Sequence, residues 1–265
     1  MENGLGTYVT YNPFAVSLET RVDDLLRMVE SMAMHHFPVV DHEQQLIGVV
    51  SETDLMRLAQ RSRESGVELD STVEPIVTRQ LVTVDYLASP HRALQLLMDY
   101  KISSLPVLQK GKLIGIVTTS DFLREFSYGQ MTCAKEPVSD FLETPPEPLE
   151  PDSTLDDAMA AMDAAGLTHQ VIVQGGCPVG VVARREIAKA LTLGTSRGKF
   201  NGSSSVVKVL RRTPPFRPGQ RMNEAAARMI EHGLTALAVT NQGNRFLGLI
   251  TADEILRIML EGLKP

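Results

Sequence analysis

One phrase recurs four times at nearly constant spacing in this 265-residue chain, and that recurrence restricts the fold more than any other feature of the sequence. The copies are GVVSETDL (48–55), GIVTTSDF (115–122), GVVARREI (180–187) and GLITADEI (248–255), with leading glycines 67, 65 and 68 residues apart. Such a period means one structural unit used four times. Before each glycine comes a short apolar run rich in β-branched residues: FPVV (37–40), LPVL (105–108), QVIV (170–173) and LAVT (237–240). Polar or glycine-bearing residues (DHEQQ, QKGK, QGGCP, NQGNR) separate run from phrase, so each unit predicts a β-hairpin.

Upstream of every hairpin, apolar residues fall at i, i+3, i+4 and i+7, the signature of a half-buried helix. The four sets are Val22, Leu25, Leu26, Val29; Pro90, Ala93, Leu94, Leu97; Leu155, Ala158, Met159, Met162; and Met222, Ala225, Ala226, Met229. Pro90 fits a first helical turn, where a missing N–H costs nothing. A second helix follows each glycine phrase, and a leading strand such as LVTV (81–84) completes the unit as strand, helix, strand, strand, helix. The methionines at 28, 32, 98, 159, 162, 222 and 229 are assigned to helix-face packing.

Connections 59–80, 127–148 and 192–205 are polar, Pro-rich or Gly/Ser-rich, and 192–205 is expected to be a mobile loop. A small sheet with two helices on one face needs a partner over the other, so the units should pair. The expected class is α+β, with a first pair in 1–126 (repeats about 13–58 and 80–126), a linker at 127–145 and a second pair in 146–265 (repeats about 146–191 and 206–260).

Composition narrows the function classes. A net charge of −6 gives no global basic surface for a nucleic acid chain or an anionic membrane. No apolar run reaches the roughly 18–20 residues that span a bilayer, and MENGLGTYVTYN lacks a basic, then apolar, secretion signal, so a cytoplasmic protein is expected. Cys133 and Cys177 stand alone and indicate neither a disulfide framework nor a zinc site. No G-x-S-x-G, Walker A or H-E-x-x-H motif is present, and the repeats take up nearly all of the given residues, so the chain is expected not to be an enzyme.

The combination of x-P-V-V, a hairpin and G-V/I-V-S/T-x-x-D-L/F resembles the CBS domain, named after cystathionine β-synthase, whose tandem pairs are called Bateman modules. The resemblance runs from about Phe14 to Leu260, with both signature segments intact in the first two copies and weakened in the last two. It implies clefts between paired repeats for AMP, ADP, ATP or S-adenosylmethionine as a regulatory ligand, with no required cofactor. It also implies two modules in a disc-like arrangement, within one chain or shared across a homodimer.

The residues themselves allow that chemistry. A short carboxylate can accept from both ribose hydroxyls, a helix N-terminus presents free N–H groups to phosphate, and an adjacent hydroxyl adds a donor. S/T-x-x-D opening a helix supplies all three, which makes Asp54 and Asp121 ribose candidates and Ser51 and Thr118 their phosphate-side partners. On the resemblance, His35, His36, Ser103 and Ser104 also face phosphate, while Pro38, Ile102 and Pro106 pack against adenine. Glu186, Glu254 and Thr251 are weaker candidates, because the third copy carries Ala183 in place of the hydroxyl. The same S/T-x-x-D/E phrase is also a helix capping box that needs no ligand. Since that box favours the longer Glu, Asp is taken to mark a ligand site in copies one and two, and Glu a cap in copies three and four. Arg184 and Arg185 open a helix where cations are disfavoured, so phosphate, a partner acid or plain solvation must compensate. Adjacent His35 and His36 without further ligands are a poor metal set.

Two functions follow from this. One is a non-catalytic regulatory module that binds an adenosyl ligand and transmits its status to a separate client protein. The other is an interaction scaffold whose clefts are vestigial and whose acids are caps.

Overall fold

The computed structural model describes residues 4–32, 34–65, 71–142, 147–194 and 200–263. The chain divides into two compact units, Met1–Asp121 and Phe122–Lys264. Parts of the three predicted connections (66–70, 143–146 and 195–199) lie outside the described residues.

In the first unit, the amphipathic helix α1 (Val22–Met32) leads into the hairpin β2 (His36–Val40) and β3 (Leu46–Ser51), then α2 (Glu52–Ser65). The second repeat supplies β4 (Val84–Asp85), α3 (Pro90–Asp99), β5 (Ser104–Gln109), β6 (Lys112–Thr118) and α4 (Thr119–Ser127), while β1 (Thr10–Tyr11) precedes the first. In the second unit, α5 (Leu155–Ala165), β7 (His169–Gln174), β8 (Cys177–Ala183) and α6 (Arg184–Gly194) form one repeat. The other is α7 (Met222–His232), β9 (Ala236–Thr240), β10 (Phe246–Thr251) and α8 (Ala252–Gly262).

The predicted leading strand is shorter than expected. It is a two-residue strand in the second repeat, at 84–85 rather than 81–84. In the other three it is a single parallel bridge, Val16 to Val39, Leu149 to Ile172 and Phe216 to Val239. Every hairpin also carries an irregularity just before its phrase glycine, between Val39/Val40, Val107/Leu108, Ile172/Val173 and Phe246/Gly248. One extra residue there turns the strand more sharply into the following helix.

Period-two alternation decides what each hairpin buries. In the second unit, Ile172 and Val182 join Leu155, Ala158, Met162 and Ile187 beneath the helices. Their strand neighbours Val171, Val173 and Val181 face the other way and pack with Ala236 and Ala238 of the paired hairpin. The first repeat has the equivalent helix-side core, Val22, Leu25, Val29, Phe37, Val39, Val50 and Leu55. The predicted helix faces are thus the buried ones, and Met162, Met222 and Met229 are fully enclosed.

The described parts of the connections clamp the pairs. The segment before each repeat crosses onto its partner: Thr10 and Tyr11 pair with β6 of the second repeat, while Thr78, ahead of the second repeat, pairs with Val49 of the first. In the second unit Arg211 pairs with Val181, Ser205 with Thr154, and Pro137 with Arg221. Each crossing segment begins with one fully buried aliphatic residue, Leu5, Val73, Val138 or Val206. The crossing also explains three of the phrase glycines. A Cβ on Gly48 or Gly115 would lie 3.0 Å from the carbonyl oxygen of Thr78 or Thr10, and on Gly180 closer still to that of Arg211. A side chain there would push the crossing segment off its partner.

Candidate ligand clefts

In all four repeats the residue before the hairpin is tied to the start of the second helix. The N–H groups of Glu52, Thr119, Arg184 and Ala252 donate to the carbonyls of His35, Ser103, Thr168 and Thr235, at 2.8 to 3.1 Å. Candidates on the strand and candidates on the helix therefore meet at one place in each repeat.

The carboxylates of Asp54 and Asp121 are both engaged in complete capping boxes. Oδ2 of Asp54 accepts from the N–H of Ser51 at 3.0 Å and from its hydroxyl at 2.6 Å, while the N–H of Asp54 donates back to Ser51 Oγ at 3.3 Å. Thr118 and Asp121 repeat this at 2.9, 2.6 and 3.3 Å. The same Thr-x-x-Asp box opens α5 through Thr154 and Asp157. Asp therefore does not distinguish a ligand site from a cap here, contrary to the expectation from side-chain length. At the Glu positions, Thr251 Oγ1 accepts from the N–H of Glu254 at 3.2 Å, and the Glu254 carboxylate lies 2.8 Å from Arg257. Glu186 sits between Arg185 at 3.5 Å and Arg211 at 3.8 Å. The two ribose candidates differ in access, because Asp121 is only 7% exposed whereas Asp54 is half-buried.

The two adjacent histidines part company. His35 is exposed, and its Nδ1 lies 2.8 Å from the Glu52 carboxylate. His36 reaches across the pair, its Nε2 3.0 Å from Ser103 Oγ. Burial, then the neighbouring His35, lowers its pKa to about 4 against the opposing pull of Glu52 and Asp54. The second unit holds the same bridge: Nε2 of His169 is 2.8 Å from Thr235 Oγ1, and its Nδ1 is 2.9 Å from Thr168 Oγ1. His169 is 8% exposed, and burial plus the Arg185 guanidinium lower its pKa to about 4. Sequence reasoning missed His169 because its strand has Gln170 and Val171 where the first copy has Phe37 and Pro38. Strand register, pairing His36 with Ser51 and His169 with Ala183, is what aligns them.

Pro38 and Pro106 are buried mid-strand, opposite Val49 and Ile116. Their counterparts Val171 and Ala238 belong to the layer between hairpins, which sets both prolines apart from the helix starts. Ser104 is buried opposite Thr118, and Ile102 is half-buried at the end of α3. Acids compensate the two arginines that open α6: Arg184 pairs with Asp163 at 2.7 Å and donates to the Leu167 carbonyl at 3.2 Å, and Arg185 pairs with Glu186.

The second unit contains a cleft of about 230 Å³ between its repeats. Gly166, Leu167, Thr168 and His169 of one repeat face Leu249, Thr251, Asp253, Glu254 and Arg257 of the other, with Phe141 at the side. Leu167 corresponds to Ile102. Phe141 comes from the predicted linker 127–145, in a single 3-10 turn, Val138–Phe141, that no periodicity announces. Among the described residues there is no group of three or more His, Cys, Asp or Glu placed to hold a metal ion, and no helix is long and apolar enough to cross a membrane.

Four αβ repeats, paired by crossed segments and with a cleft between the paired repeats of the second unit, define a tandem-repeat architecture. The CBS domain model matches residues 5–61, 73–128, 138–193 and 206–261, and the chain belongs to that family. The matches start at the four buried residues Leu5, Val73, Val138 and Val206, ahead of the starts expected from the sequence for the first three repeats. A CBS domain-containing protein of Dictyostelium discoideum is 33% identical over 120 residues, covering 42% of this chain and 81% of its own. Inosine-5'-monophosphate dehydrogenase of Aquifex aeolicus is 30% identical over 119 residues, and that match spans 44% of this chain but only 23% of the enzyme. In fold, protein MJ1225 of Methanocaldococcus jannaschii, described as a candidate archaeal homologue of g-AMPK, superimposes with a TM-score of 0.73. That match has 16% identity and covers 97% of this chain and 99% of the other.

Proposed function

We propose that the protein is a non-catalytic regulatory module that binds an adenosyl ligand in clefts between paired repeats and passes ligand status to a separate client protein. The cleft of the second unit carries this reading, because it brings a strand start, a helix N-terminus and an aromatic side chain to one concave surface between repeats. In the first unit, Asp54 and Asp121 are the ribose acceptors, with Ser51, Thr118, His35, His36, Ser103 and Ser104 on the phosphate side. Ile102 is the adenine contact, with Pro38 and Pro106 behind it. A bound ligand bridges two repeats and so favours one arrangement of the pair, which is the differential affinity a sensor needs.

The complete capping boxes support a second reading, a scaffold in which Asp54 and Asp121 only hold their helices. Loss of apo stability cannot separate the two, since removing either acid costs about 0.5–2 kcal/mol as a cap in both cases. Ligand binding can. Nucleotide-stripped protein titrated calorimetrically with AMP, ADP, ATP and S-adenosylmethionine should bind saturably, and a folded Asp54→Ala, Asp121→Ala variant should lose first-unit binding. A folded parent protein that binds none of the four would leave the scaffold as the function.

A further inference from the structure

We propose that the cleft of the second unit selects an adenosyl ligand without net negative charge, a nucleoside or a sulfonium such as S-adenosylmethionine, over a nucleoside polyphosphate. This rests on the reading that the clefts take adenosyl ligands. The charged groups on the wall are Asp253, Glu254 and Arg257. Two carboxylates and one guanidinium leave the surface with an excess of one negative charge, and the guanidinium is already held by Glu254 at 2.8 Å.

The cations nearby are engaged as well. Arg184, bonded to the carbonyl of the wall residue Leu167, is paired with Asp163, and Arg185 is paired with Glu186. His169 adds no charge near neutral pH, because burial and Arg185 hold its pKa at about 4. Both of its ring nitrogens are occupied by the hydroxyls of Thr168 and Thr235. What the wall offers a ligand is apolar surface on Phe141, Leu167 and Leu249, hydroxyl oxygens and the exposed Asp253 carboxylate, which suit a base, ribose hydroxyls and a positive centre. Between like charges ~7 Å apart, an effective dielectric of ~80 to ~20 reduces affinity by about threefold to about fiftyfold per pair. A triphosphate therefore meets a steep penalty that adenosine does not.

Hydrogen exchange of the full chain with adenosine, S-adenosylmethionine, AMP or ATP tests this, read on peptides spanning 166–171 and 249–257. Adenosine and S-adenosylmethionine should protect these peptides at concentrations where ATP does not. Asp253 is exposed in the first turn of α8, so Asp253→Lys should fold. It should raise the ATP affinity of this cleft about tenfold relative to adenosine. ATP protecting the parent as strongly as adenosine, or an unchanged ATP-to-adenosine ratio in Asp253→Lys, overturns the proposal. Protection by adenosyl compounds confined to the first unit overturns it too while leaving the adenosyl-binding function standing. No protection anywhere removes both.

Discussion

His36 and His169 occupy the same place in two different pairs, and each joins its repeat to a hydroxyl on the partner across 67 and 66 residues of sequence. Both imidazoles are buried as neutral groups. An imidazole in the unfolded chain titrates near 6.5, whereas these titrate at about 4 in the fold. Between those values the unfolded state binds more protons, so stability is complete above about pH 6.5 and declines as the pH falls toward 4. For His169 the loss is on the order of 3 kcal/mol. Urea denaturation across this pH range should show stability falling with acidity, and His169→Gln should flatten the fall in the second unit. An equal slope in the variant would mean that other groups set it. Sequence inspection picked out His36 because a second histidine and a PVV run flank it. The role it has, a bridge to Ser103, depends on which repeat lies opposite, and nothing next to His36 in the chain encodes that.

The hairpins and amphipathic helices were legible because their apolar periods are local and strong. The crossing segments were not, since they bury isolated aliphatic residues in polar or proline-bearing stretches, as Val73 does in STVEP and Val138 in EPVSD. Their trace in the sequence is indirect: the invariable glycine that heads each phrase. That glycine was noticed as a marker of the repeat, while its physical reason at Gly48, Gly115 and Gly180 is the neighbouring backbone. Gly115→Val should overlap the Val9 side chain and the Thr10 carbonyl and cost about 1–3 kcal/mol, with β1 displaced from β6. Lowered stability in urea together with faster hydrogen exchange at Asn12, whose N–H donates to the Ile114 carbonyl, would bear this out. Unchanged exchange there would show that β1 does not depend on the close approach.

For the proposed sensor function, the measurable consequence is linkage. A ligand that binds only folded protein stabilises the unit holding it by about 2.7 kcal/mol at a hundred times its dissociation constant. Thermal unfolding with and without S-adenosylmethionine should therefore show a concentration-dependent rise. Hydrogen exchange should assign it to peptides of the unit that binds. A rise whose concentration dependence is unchanged in a folded variant combining Asp54→Ala, Asp121→Ala and Asp253→Arg would place the ligand outside these clefts. The match to the dehydrogenase covers 23% of that enzyme, which agrees with a shared segment occurring in different proteins.

The sequence by itself determined the repeat, its βαββ core, the buried helix faces and the phrase at each helix start, because these follow from spacing over a few residues. Only the tertiary structure decided that Asp54 and Asp121 are already bonded as caps and that His169 matches His36. Phe141 and Gly166–His169 likewise became cleft walls only when the repeats docked. Those facts concern groups roughly 30 to 110 residues apart, or the state of a carboxylate that the same four letters can leave open or closed. The reason is physical: local periodicity selects secondary structure, whereas facing side chains are selected by how one packed layer seats on another.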